Sequence, residues 1–258
     1  MNSIEKKMVD ILKELRQSHG VTAVKINLEA EGIRPAEILR TKEIVMSAGV
    51  GLTVKLGGCE ALSDLRLSKM YGVSGIMAPM IESRFALEKY LDMVESEYDA
   101  AELEDMKLLI NIETADGYQK IDEILAADNI QRLAGIVLGR TDLCSAVKAS
   151  GVNAPEILDI AKAVFAKAKE RSLHCIVGGG TTVKSIPFYQ QLKGLIGGFE
   201  TRKVVFADYA KAEAGMAEGI PLALKFELHW YELKQQYYGK IYNEDAAKMK
   251  SISALLGL

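Results

Sequence analysis

Lys107-Leu-Leu-Ile-Asn-Ile-Glu113, with its counterpart Gly135-Ile-Val-Leu-Gly-Arg-Thr-Asp142, is the stretch on which the reading of the whole chain turns. Each run is short and continuously apolar rather than alternating, as a strand buried on both faces has to be. A carboxylate closing such a strand would be badly solvated inside a sheet. Glu113 and Asp142 are therefore expected at the sheet's mouth, where they meet water, a cation or a substrate. Taken singly, either reads equally well as a solvated loop acid. As a pair on neighbouring parallel strands, they supply half the oxygen shell of a Mg2+ or Mn2+ ion, water and ligand oxygens completing it.

Outward from this pair, helix-like and strand-like segments alternate along the chain. Met8, Ile11, Leu12 and Leu15 share one helical face. The strand Val21–Leu28 follows, and Glu29-Ala-Glu31-Gly32 forms its exit. A helix from Pro35 leads to the strand Val50–Gly58, then a helix near Glu60, the strand Gly75–Met80 and a helix over Phe85–Val94. After the strand ending at Glu113, Gly117–Leu125 reads as helix, and after Asp142 comes a long helix opened by Pro155. Leu173–Gly180 and Gly198–Phe206 are the last strands expected. Strands separated by helices imply right-handed parallel crossovers, hence an α/β fold: a (β/α)8 TIM barrel or a doubly wound sheet. The count reaches seven, so one strand is hidden, missing or modified.

No Pro/Gly/Ser-rich linker divides the chain, and the barrel is assigned to residues 1–220. Residues 221–258 form a C-terminal helical extension in which Leu222, Leu224, Phe226, Leu228, Trp230, Tyr231 and Leu233 cover more than one helical face. That is more apolar surface than one barrel-capping face needs, so the extension is expected to pack on the barrel or on a second subunit of a homo-oligomer.

The 258 residues carry a net charge of −3, which leaves no basic footprint for nucleic acid. Mean hydropathy is +0.06, and no run of apolar residues suits a membrane span or a signal peptide. Cys59, Cys144 and Cys175 are odd in number and lack ligand spacing, the pattern of reduced thiols in a cytoplasmic protein. His19, His174 and His229 fit no ligand spacing either.

Three further groups are candidates for ligand contact. Gly178-Gly179-Gly180-Thr181-Thr182 ends a strand and opens a helix, where glycine lets backbone N–H groups approach a phosphate or carboxylate; a tight turn needing positive φ explains any one glycine as well. Glu200 and Arg202 interrupt an apolar strand and must face the mouth or pair internally. Gly57-Gly58-Cys59-Glu60 is a second glycine turn, with Glu60 placed to complement a helix dipole.

The segments Pro79-Met80-Ile81-Glu82, Ile112-Glu113-Thr114 and Gly135-Ile-Val-Leu-Gly139-Arg140-Thr141-Asp142-Leu143 resemble, in order and spacing, the motifs of the HpcH/HpaI aldolase and citrate lyase β-subunit family. The resemblance covers roughly residues 21–185. It implies a barrel in which Glu113 and Asp142 hold a divalent ion, Mg2+ or Mn2+. That ion chelates a 2-oxo acid such as pyruvate or oxaloacetate while the adjacent C–C bond is made or broken. Backbone N–H groups at Gly139 and Arg140 would then hold the substrate carboxylate.

The chain departs from the family pattern in three places. Helix stands where the family has an extra first strand. Glu29 and Glu31 stand where family aldolases carry a histidine base, and either acid is a candidate replacement. Lys55 replaces an arginine that binds the substrate carboxylate, giving charge without a bidentate fork. Two alternatives stay open: a barrel that binds phosphoenolpyruvate or a sugar phosphate through its glycine loop with Lys184 or Lys203, and a non-catalytic barrel acting as a binding subunit.

Overall fold

Successive side chains of a strand point to opposite faces, so a run that is apolar throughout needs cover on both sides. In the computed structural model of the protein, which describes residues 1–256, a closed barrel provides that cover. Its strands are β1 (Val21–Asn27), β2 (Gly51–Lys55), β3 (Gly75–Ala78), β4 (Lys107–Ile112), β5 (Gly135–Gly139), β6 (His174–Gly178), β7 (Gly198–Glu200) and β8 (Val204–Phe206). They neighbour one another in chain order around the ring. Outward residues such as Ile110, Ile136 and Val177 meet Leu143, Ile157 and Phe165 from the helices in one continuous core. Truncating a fully buried member such as Ile136 to Ala should cost about 2–5 kcal/mol.

The missing strand was folded into the last one expected. Residues 198–206 form a hairpin, not one strand: β7 runs parallel to β6, and β8 turns back antiparallel to both β7 and β1. The turn is Thr201-Arg202-Lys203, closed by Thr201 N–H to the Val204 carbonyl at 2.9 Å and by Val204 N–H to Thr201 Oγ1 at 3.0 Å. An antiparallel partner needs only a tight connection, whereas a parallel one needs a long crossover. A segment of nine residues thus closes the ring (198–206). The turn also delivers three polar side chains to the end of the barrel where the parallel strands finish.

Inside the ring, Ala23, Met77, Leu109, Val137, Ile176 and Val205 pack as a second small core. This plug leaves the polar residues one layer higher as the floor of the mouth. At the C-terminus a single helix, Met216–Leu256, runs across the boundary drawn at 220/221. Ala223, Phe226, Trp230 and Leu233 are its buried face, spaced as one helical stripe. Leu228, Tyr231, Tyr242, Met249 and Leu255 point away and are exposed. No helix among the described residues is long and apolar enough to cross a membrane.

Candidate active site

The mouth encloses a cavity of about 420 Å³, lined among others by Lys25, Lys55, Asn111, Glu113, Asp142, Glu200 and Thr181. On one side the centre is Glu113, which leaves the end of β4 almost fully buried. Its carboxylate accepts from Lys55 Nζ at 3.0 Å on each oxygen, from Asn111 Nδ2 at 2.8 Å and from the Met80 N–H at 3.1 Å. Met80 is a non-glycine residue at φ 48°, a left-handed conformation that side chains rarely adopt. It aims its N–H at the carboxylate, which gives the Pro79-Met80 stretch a physical role.

Room for Glu113 comes from Gly139, where a Cβ would stand 2.6 Å from Glu113 Oε2. Asp142 lies in the first turn of the helix Arg140–Ala146, not at the strand end expected for it. Burial, and then the neighbouring Glu113 charge, push its carboxyl above the usual range. Asn111 Oδ1 is a buried acceptor with no partner among the described residues.

The opposite side repeats the arrangement. Glu200, at the end of β7 and almost fully buried, is ion-paired to Lys25 of β1. Gly178 leaves it space, since a Cβ there would stand 2.7 Å from Glu200 Oε1. Glu200 Oε2 has no partner among the described residues. A third buried pair, Lys203 to Glu31 at 2.7 Å, lies at the hairpin turn, with the ammonium 4.5 Å from the Trp230 ring. Burial pulls the Lys203 pKa down, and Glu31 opposes that shift. The Lys203 N–H donates to Glu227 at 3.0 Å, so this pair ties the turn to the C-terminal helix.

The glycine loop is a turn that needs its glycines: Gly179 and Gly180 have φ of 80° and 63°. Arg140 binds that loop with its side chain. Fully buried, it donates to the carbonyls of Gly178 at 3.0 Å and Gly179 at 2.7 Å, to Asn153 Oδ1 at 2.6 Å and to the Tyr189 hydroxyl at 3.0 Å. Its guanidinium braces the floor beneath the cavity; burial lowers its pKa, with no carboxylate to oppose the shift.

Of the residues singled out in the sequence, Glu31, Lys55, Glu113, Gly139, Asp142, Gly179, Gly180, Glu200 and Arg202 line the cavity together. Gly178 lies beneath Glu200 and meets Arg140 through its carbonyl. Glu29 is exposed beside Gly57 and outside the cavity lining, whereas Glu31 lines the cavity with its carboxylate held by Lys203. Glu60 pairs at the surface with Lys89 at 3.1 Å. Arg202 is exposed at the rim and donates to the Tyr231 hydroxyl at 3.2 Å. The sequence reading passed over Lys25 and Asn111. Lys25 carried the signal that flagged Glu200, a lone charge within an apolar strand.

A closed barrel with paired lysines and carboxylates at its mouth is an enzyme-like architecture, and comparison with known proteins narrows it. Residues 53–178 match the model of the HpcH/HpaI aldolase/citrate lyase family, which bears out the resemblance seen in the sequence. No curated protein sequence matches the chain. Among solved structures, the barrel is similar to an HpcH/HpaI aldolase from Desulfitobacterium hafniense DCB-2, with a TM-score of 0.63 and 14% identity, covering 85% of this chain and 88% of that one. It is also similar to an HpcH/HpaI aldolase/citrate lyase family protein from Burkholderia cenocepacia J2315, with a TM-score of 0.61 and 12% identity over 76% and 83% of the two chains. The citrate synthase SbnG follows with a TM-score of 0.56 and 14% identity over 83% and 97%. At such identities the structures speak for the fold alone.

Proposed function

We propose that the protein is a divalent-metal-dependent carbon–carbon lyase, aldolase or condensing enzyme acting on a 2-oxo acid such as pyruvate or oxaloacetate. The family match supports a lyase, aldolase or condensing enzyme. The observation that carries the metal-dependent reading is that Glu113 and Asp142 line one cavity, near enough for the Glu113 charge to add to burial in raising the Asp142 pKa. Two hard carboxylates and the unpartnered Asn111 Oδ1 fit Mg2+ or Mn2+, which prefer oxygen and keep several waters. Among the described residues no three His, Cys, Asp or Glu side chains form a metal cage, so substrate and water oxygens would complete the shell. When bound, such an ion supplies positive charge against the oxygen anion that develops as a bond beside a carbonyl breaks.

The chain's own residues do the rest. Asn111 and the Met80 N–H fix the Glu113 carboxylate, and Gly139 keeps its place open. Lys55 is the counter-ion of Glu113. It is positioned to turn toward a substrate carboxylate once another cation takes over that role. The phosphate-binding alternative has less support, because Lys203, one of the two lysines it calls on, is buried against Glu31. Closure of the ring with eight strands removes one reason for reading the barrel as non-catalytic.

Thermal shift with Mn2+ or Mg2+, alone and with pyruvate or oxalate, tests the reading. Joint stabilisation is expected, growing with ligand concentration. No shift with any combination would overturn it. A homo-oligomer is part of the same proposal. Trp230 caps its own barrel, whereas Leu228, Tyr242 and Met249 leave apolar surface for a second copy to cover. Light scattering should give a particle larger than the 28.2 kDa chain.

A further inference from the structure

We propose that Glu200 is the proton-transferring carboxylate of this site and that Lys25 holds it in place, so that the pair reads the hydroxyl group of a 4-hydroxy-2-oxo acid. The inference rests on the lyase reading above and supplies the base that Glu29 and Glu31 do not. Glu200 lines the same cavity as Glu113, yet from β7, on the other side of the two glycine-bearing strands. One of its oxygens is taken by Lys25, while Oε2 is buried without a partner. A buried acceptor left unsatisfied is unfavourable unless a ligand or water completes it, and such atoms concentrate at functional positions. An acceptor beside an ammonium donor is complementary to a hydroxyl, which must both give and receive a hydrogen bond.

The surroundings keep this geometry. Gly178 gives the side chain its space, and the Glu200 carbonyl accepts from Thr181 Oγ1 at 2.7 Å. Thr181 in turn meets Tyr189, and Tyr189 meets the buried Arg140. The carboxylate is thereby mounted on a braced floor and not on a loop tip.

In cleavage, the substrate O–H breaks and its proton passes to Glu200 Oε2. The O–H electron pair becomes the new C=O of the departing aldehyde or ketone. The C–C bond breaks, and its pair remains on the 2-oxo acid fragment as an enolate. Glu200 then returns its proton, directly or through water, to the enolate carbon. Condensation runs the same steps in reverse. Decarboxylation of oxaloacetate differs: loss of CO2 leaves the same enolate with no hydroxyl proton to remove, and the enolate carbon takes its proton from water.

The two reactions separate the roles. With Mn2+ present, Glu200→Gln should lower cleavage of 4-hydroxy-2-oxopentanoate on the order of 10²–10⁴-fold, the range for loss of a general base. Oxaloacetate decarboxylation, which has no hydroxyl proton to remove, should fall far less than cleavage does. Glu113→Gln should lose both. If Glu200→Gln folds poorly because Lys25 is left unpaired, the double variant Lys25→Met, Glu200→Leu removes the whole pair and should show the same split. Equal loss of both reactions in a folded variant, or loss of neither, would overturn the role of Glu200 and leave the lyase reading standing. A parent protein that catalyses neither reaction would overturn the lyase reading, and this proposal with it.

Discussion

Two lysine–glutamate pairs face one cavity, and they differ in what surrounds the carboxylate. Glu113 is fully engaged: both oxygens carry bonds, from Lys55, Asn111 and Met80, and a second acid, Asp142, stands beside it. Glu200 has one oxygen on Lys25 and one free, and no second acid among its contacts. Both lean over a glycine of the neighbouring strand, Gly139 for one and Gly178 for the other. Similar local geometry thus serves two chemistries. A clustered pair of acids suits a cation, because each carboxylate repels the other until positive charge arrives. A lone carboxylate with an open oxygen suits a proton.

The largest effect should separate the two sides outright. Glu113→Gln weakens the hold on the cation that would oppose the developing oxygen anion, and should lower every C–C reaction by about 10³-fold. Equal losses for Glu113→Gln and Glu200→Gln in every assay would dissolve the distinction between them. Next in size are the glycines. Gly139→Ala places a methyl against Glu113, and Gly178→Ala places one against Glu200; a displacement near 1 Å costs on the order of 10²-fold in rate. Steady-state kinetics should show Gly139→Ala harming decarboxylation and cleavage alike, with Gly178→Ala harming cleavage far more than decarboxylation.

A smaller effect concerns Lys55. Its ammonium competes with any cation for Glu113, and removing one partner of a buried pair leaves an uncompensated charge. Lys55→Met should therefore tighten Mn2+ binding, measured by calorimetry, even as it weakens binding of the acid substrate. Looser Mn2+ binding would mean that Lys55 supports the metal site instead of competing with it.

The smallest effect is on stability. Burial and Glu113 raise the Asp142 pKa above its unfolded value near 3.9. Between those two values the folded protein holds a proton that the unfolded chain has released, so stability falls as pH rises through the window. In metal-free protein, Asp142→Asn should raise the melting temperature slightly at pH 7. The gain should vanish at pH values below the unfolded pKa, and a constant gain at all pH values would contradict this origin.

Much of this was legible in the sequence, and the gaps have physical causes. Glu113 and Asp142 were visible because a carboxylate after a continuous apolar run has few places to go. Asp142 nevertheless sits in the first turn of a helix, a shift that periodicity cannot resolve in so short a segment. The eighth strand stayed hidden because Gly198–Phe206 is apolar on both sides of Thr201-Arg202-Lys203, and no Gly or Pro marks the turn. Thr201 closes it with its own backbone and hydroxyl instead.

Glu29 and Glu31 were placed by analogy with a family position; the fold leaves Glu29 exposed outside the cavity and pairs Glu31. Lys203, from a hairpin 172 residues away, took Glu31. Lys25 escaped notice because a single lysine inside Val21–Leu28 becomes meaningful only when Glu200 is brought beside it. Arg140 drew attention for its backbone, yet its side chain does the work, through contacts with Gly178 and Gly179 that exist only once the barrel closes.

Calorimetric titration of Mn2+ into the metal-free protein, with and without oxalate, compared with the Asp142→Asn variant, tests most directly whether Glu113 and Asp142 form a cation site. One ion per chain is expected for the parent, bound more tightly when oxalate supplies further oxygens, with affinity clearly reduced in the variant while the fold persists. No binding to the parent under either condition, or binding that Asp142→Asn leaves unchanged, would contradict it.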